Sequence, residues 1–129
     1  MDQIKQKRDY QTLATFPYAV SKFFSFSERA ASKYGLSMMQ YEALLTIRGF
    51  PGREQITIGE MAEWLQIRYR SAIDLVDQLE LERLIIRKKR NDDEFRVFIR
   101  ITKKGKRVLE KLASLNKQEL QKLKWEIQQ

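Results

Sequence analysis

The chain has 129 residues, with 25 Lys plus Arg against 17 Asp plus Glu, and its formal net charge is +8. A length of this order fits one domain, 43% hydrophobic residues suffice for a core, and no stretch approaches the roughly 18 apolar residues of a membrane span. There is no cysteine and no histidine, which excludes Cys or His nucleophiles, His general bases, thiol redox switches and zinc sites built from those residues. In chain order, Leu13, Phe16, Val20, Phe23, Phe24, Ala30, Ala31 and Tyr34 recur near helical spacing, with Asp9 able to cap the stretch and Gly35 ending it. Pro17 interrupts the pattern, so either the helix kinks there or it starts near Thr15 and Phe16. Ser37 and Gln40 form a candidate capping box for a second helix carrying Met38, Tyr41, Leu44, Leu45 and Ile47 to Gly49, and residues 50–55 read as loop.

Thr57 and Glu60 make a stronger capping box, followed by a short third helix whose buried stripe is Met61, Ala62, Trp64 and Leu65. Trp64 and Phe50 are expected in the core. After Gln66-Ile67 a fourth helix turns Ala72, Ile73, Leu75, Val76 and Leu79 inward, leaving Arg68, Tyr69, Arg70, Ser71 and Asp74 outward. Ile85 and Ile86 lead into a hairpin turned by Asn91-Asp92-Asp93. In its second strand Phe95, Val97, Ile99 and Ile101 alternate with Arg96, Phe98 and Arg100, so one face should be apolar and the other largely cationic. A last helix from Thr102 carries Val108, Leu109, Leu112, Leu115, Leu120, Leu123 and Ile127, a stripe that the first helix and a second copy of the chain are expected to cover.

Helix, turn, helix and basic ribbon in that order suit duplex DNA, one element entering the major groove and the other meeting the backbone. From Arg87 to Arg107 ten basic residues face three acidic ones, nearly the whole net charge of the chain. Such a concentration fits a polyphosphate partner, since phosphate contacts release condensed counterions. The expected DNA contacts are Arg68, Tyr69, Arg70 and Ser71 on the fourth helix and Arg87, Lys88, Lys89, Arg90 and Arg96 on the ribbon. Arginine can pair with guanine edges, while Tyr69 and Ser71 suit phosphate. The five glycines form no phosphate loop and the carboxylates lie on amphipathic surfaces or in the turn, so no enzyme activity, cofactor or metal site is expected. Phe16, Tyr18, Phe23, Phe24, Phe26 and Tyr34 would suit an aromatic effector pocket, but packing or a dimer interface is the stronger expectation, and no ligand residues are assigned.

Four segments carry a family resemblance. Leu36-Ser37-Met38-Met39-Gln40-Tyr41 with Leu44 and Leu45, residues 56–65, Leu75-Val76-Asp77-Gln78-Leu79-Glu80 and Ile101-Thr102-Lys103-Lys104-Gly105 together resemble the MarR family of prokaryotic winged-helix transcriptional regulators, over about residues 36–112. The resemblance implies a homodimer that represses transcription and is released by a small, often phenolic, ligand. Two departures stand out. Arg83 precedes Leu84 where the family has glycine, so the recognition helix is expected to end differently. In the wing's Asp-x-Arg pattern Asp93 takes the acidic position but Phe95 the arginine position, with Arg96 one residue later; either the tip differs in length or Arg96 approaches DNA at another angle.

The expected architecture is therefore mainly α (α+β), a winged helix-turn-helix with a two- to three-stranded wing and long terminal dimerisation helices. It divides into an N-terminal helical dimerisation segment (1–35), a winged-helix domain (36–105) and a C-terminal dimerisation helix (106–129). The expected function is sequence-specific binding of double-stranded DNA by a soluble, cytoplasmic repressor; the alternative is a winged helix whose basic face takes a protein partner. With no thiol or imidazole, release is expected from an organic ligand rather than from oxidation or a soft metal ion.

Overall fold

The computed structural model describes residues 6–90 and 93–128; for Lys89, Arg90 and residues 93–96 it describes the backbone alone. Five helices and three strands follow in the order α1 (Lys7–Lys33), α2 (Met38–Gly49), β1 (Gln55–Thr57), α3 (Ile58–Leu65), α4 (Tyr69–Leu81), β2 (Ile85–Arg90), β3 (Asp93–Ile101) and α5 (Lys103–Gln128). The strands form one antiparallel sheet in the order β1-β3-β2. This is a mainly helical winged helix-turn-helix with a three-stranded wing and a long helix at each end.

Pro17 neither breaks nor starts the first helix: α1 runs continuously from Lys7, with Gln6 rather than Asp9 at its N-cap position. Thr15 Oγ1 donates to the Gln11 carbonyl beside the proline. Gly35, at φ +75°, closes the helix as expected, with Leu36 N donating to Ala31 O at 3.0 Å. Both capping boxes form. Ser37 Oγ accepts from Gln40 N at 3.1 Å while Gln40 Oε1 accepts from Ser37 N at 2.8 Å. Thr57 and Glu60 do the same at 3.1 and 2.9 Å. Glu60 also pairs with Arg53, and that bond is the main cause of a carboxyl pKa below its ordinary value.

The core gathers Leu44 and Ile47 of α2, Met61 of α3, Leu75, Val76 and Leu79 of α4, Ile56, Ile85 and Ile99 of the sheet, and Leu109 and Leu112 of α5. α5 starts at Lys103 and crosses residues 105 and 106 without a break. It packs along α1, with Ser27 and Asn116 buried and hydrogen-bonded between them and Lys22 paired with Glu126 farther out. That pairing leaves Tyr10, Leu13, Phe16, Tyr18 and Phe24 exposed on α1, and Leu115, Leu120, Trp125 and Ile127 on α5.

Three expectations need correction. Trp64 is not a core residue but 59% exposed, resting on Phe50 with ring centroids 5.4 Å apart; on a helix of eight residues only Ile58, Met61 and Ala62 reach the core. Phe98 stands in the alternation of the outward face yet is 5% exposed, because it pairs with Thr57 of β1 and the start of α3 closes over that part of the sheet. Arg83 does not alter the end of α4. It adopts φ +63° itself, its N–H donating to Glu80 O at 2.9 Å and that of Leu84 to Leu79 O at 3.0 Å, the pattern that glycine usually serves. A non-glycine residue there costs about 1 kcal/mol. The joint offsets it, since Thr102 Oγ1 donates to Arg83 O at 2.7 Å and Lys104 Nζ to Glu82 O at 3.0 Å.

Candidate nucleic-acid interface

The turn between α3 and α4 depends on Gln66, at φ +58°, which lets its own N–H reach Glu63 O at 3.2 Å and that of Ile67 reach Ala62 O at 3.0 Å. Ile67 then packs against the core and the chain re-enters helix at Tyr69. α4 differs from α2 and α3 at its start. Arg68 occupies the N-cap position and supplies no side-chain cap, so the first amides of α4 stay open to an external acceptor.

Arg68, Tyr69, Arg70, Ser71 and Asp74 are all exposed, as expected, while Ala72, Leu75, Val76 and Leu79 fix the opposite side of α4 in the core. Neither Arg68 nor Arg70 forms an ion pair among the described residues, so both guanidinium groups are available to an acceptor. The wing stands beside this turn. Tyr69 shares a cleft of about 450 Å³ with Val97 and Phe98 of β3 and with Thr57, Ile58 and Gly59 at the start of α3. Lys88 pairs with Phe98 across the ladder and therefore lies on the same face of the sheet, where it is exposed.

Arg87 has the opposite parity. Its guanidinium pairs with Asp77, and its Nε lies 3.3 Å from Glu80 Oε1; its N–H donates to Glu80 Oε2 at 3.2 Å. The arginine expected to contact DNA is thus engaged with α4, clamping the root of the wing to that helix. The spacing of Asp77 and Glu80, one turn apart on one helix face, is the sequence signal for this clamp, which sequence reasoning missed.

The ladder slips between Lys89 and Arg90: Lys89 pairs with Val97 but Arg90 with Asp93. Asp93, expected in the turn, opens β3. The side chains of Lys89, Arg90 and Arg96 lie outside the described residues, as do Asn91 and Asp92. No group of three or more acidic side chains among the described residues is placed to hold a metal ion, and no helix among them is long and apolar enough to cross a membrane.

No protein-family model and no curated protein matches the chain by sequence. Solved structures match it in fold. A MarR family protein from Bacillus stearothermophilus superposes with a TM-score of 0.76 at 21% identity, over 90% of this chain and 79% of that one. A mutant of MepR from Staphylococcus aureus bound to an oligodeoxyribonucleotide gives 0.72 at 19% identity, over 92% and 83%. A mutant of MarR from Escherichia coli complexed with operator DNA gives 0.70 at 20% identity, over 82% and 74%. At these identities the likeness is one of fold: the chain has the winged-helix architecture of MarR-type regulators.

Proposed function

We propose that this chain is a sequence-specific double-stranded DNA-binding transcription regulator of the MarR type, acting in the cytoplasm as a homodimeric repressor that a small organic ligand releases. One observation carries the reading: the uncapped, exposed start of α4, where Arg68 and Arg70 have no ion pair among the described residues, stands beside the wing that carries Lys88. Two neighbours with this fold are described as bound to an oligodeoxyribonucleotide or to operator DNA, which supports DNA as the partner here. Arg70 reads a base edge, Tyr69 and Ser71 meet phosphates, and Lys88 meets the flanking backbone. Lys89, Arg90 and Arg96 extend the same basic ribbon by their place in the sequence. Arg87 contributes by holding the wing in register with α4.

Binding to a duplex should weaken linearly on a logarithmic salt scale, each neutralised phosphate adding about −0.9 to the slope. Lys88→Ala should flatten the slope by about one unit and leave sequence preference unchanged. Fluorescence anisotropy across a salt series reads both; an unchanged slope removes Lys88 from the interface. Failure of the native protein to bind any duplex at low salt would favour the protein-interaction reading of the basic face.

The segments 1–35 and 106–129 serve dimerisation in this proposal, with 36–105 as the DNA-binding part. Large apolar side chains stay exposed on both α1 and α5, among them Leu13 and Phe16 on α1 and Leu120 and Ile127 on α5, and two recognition helices about 34 Å apart suit a palindromic site. Sedimentation equilibrium should give a dimer at micromolar concentration, and Leu120→Glu with Ile127→Glu should shift it toward monomer. A monomeric native protein contradicts the dimer.

A further inference from the structure

The cleft between α2 and α3 joins an exposed indole to a partly buried carboxylate. Trp64 exposes 59% of its surface while Met61 and Ala62 of the same helix are buried. Its indole forms one wall of a cleft of about 520 Å³ completed by Glu42, Leu45, Thr46, Gly49 and Leu65, a volume suited to a small molecule. The Phe50 ring, tilted 55° to the indole with centroids 5.4 Å apart, supports it. Glu42 is partly buried, and its carboxylate has no hydrogen bond or ion pair among the described residues. Burial raises the pKa of that carboxyl above its ordinary value. An unpaired, partly desolvated carboxylate is retained here at a cost that a neutral glutamine would avoid.

The charge of the lining decides which ligand fits. In a chain of net charge +8, no Lys or Arg among the described residues lines this cleft. An anionic phenol or carboxylate would meet Glu42 with no countercharge, whereas a cation would neutralise Glu42 and lie against the face of Trp64, the aromatic ring that attracts cations most strongly. We infer that the cleft between α2 and α3 binds a small lipophilic cation, with Glu42 as countercharge, Trp64 as the π face and Leu45 and Leu65 as apolar walls. The site stands on the cleft alone; its use as the release switch rests on the DNA-binding proposal. α3 packs directly on α4, so a ligand seated between α2 and α3 acts on the element that supports the recognition helix.

Calorimetric titration of the intact protein with tetraphenylphosphonium tests the site, with the uncharged triphenylphosphine oxide as comparison. The native protein should bind the cation with a Kd below about 100 μM, and Glu42→Gln should weaken that binding at least tenfold, roughly the worth of one charge contact in a partly buried site. Glu42→Gln should not lower Tm and should leave binding of the phosphine oxide unchanged; Trp64→Leu should weaken both ligands. Absence of binding to the native protein at millimolar cation, or equal cation affinity in Glu42→Gln, overturns the proposal. Operator affinity at saturating cation is a separate reading. A loss of at least tenfold supports the switch, and unchanged affinity with the cation bound overturns the switch while the site stands.

Discussion

Gly105→Ala is expected to lower stability by about 2 to 3 kcal/mol, against the ordinary preference of helices for alanine. In an unobstructed helix interior that exchange gains up to about 1 kcal/mol. Gly105 lies instead in the first turn of α5, where the chain leaves β3 and passes over the beginning of β2. A Cβ there would stand 2.3 Å from Leu84 O and 2.7 Å from Ile101 Cγ1. The carbonyl cannot turn aside cheaply, because it already accepts from Thr102 N at 3.0 Å. Thr102 is fixed in turn, its Oγ1 accepting from Gly105 N at 3.0 Å and donating to Arg83 O. Overpacking costs about 1 to 3 kcal/mol and occasionally more; a contact of 2.3 Å with a fixed carbonyl lies at the upper end of that range, so about 2 to 3 kcal/mol remains after the propensity gain. Thermal unfolding should show a fall in Tm of about 10 °C. Gly59→Ala is the internal comparison, with only Thr57 Oγ1 near its added carbon, at 3.9 Å, and should be neutral or slightly stabilising. Equal Tm values for the two variants would mean that the joint between wing and last helix is looser than the contacts imply.

Arg70→Ala should reduce the preference for a specific site over random duplex by about 1 to 3 kcal/mol, a factor of roughly 5 to 150. Arg70 lies in the first turn of α4, exposed and without an ion pair among the described residues, so its removal creates no cavity and leaves no buried partner among them. Its Tm should stay near that of the native protein, which separates this loss from that of Gly105→Ala. Competition binding with specific and random duplexes measures the preference. An equal loss on both would make Arg70 a phosphate contact rather than a reader of bases.

Much of this arrangement was legible in the residues. The two capping boxes, the inward face of α4 and the outward placement of Arg68, Tyr69, Arg70 and Ser71 follow from local chemistry and period, which act within one or two turns of chain. Where the sequence misled, the deciding contact was remote. Trp64 continues an apolar pattern, but α3 is too short to bury its last turn, so the indole stays at the surface. Phe98 has the parity of the solvent face and is covered by a strand and a helix start some 40 residues earlier. Arg87 belongs by composition to the basic run, and only the packing of α4 on β2 shows that Asp77 and Glu80 engage it. Arg83 marks a different limit: a left-handed turn favours glycine but tolerates arginine where hydrogen bonds from Thr102 and Lys104 hold its neighbourhood. Pro17 inside α1 shows likewise that a helix 27 residues long, packed against another, survives the loss of one hydrogen bond.

The central claim is that the start of α4 reads DNA sequence. Its most direct measurement is selection of genomic fragments by the intact protein, followed by equilibrium titration of the recovered sequence and a shuffled duplex at one fixed salt concentration. The account predicts a recovered motif with twofold symmetry, bound at least a thousandfold more tightly than the shuffled duplex, the low end of specific recognition. Fragments sharing no motif, or equal affinity for both duplexes, would contradict it.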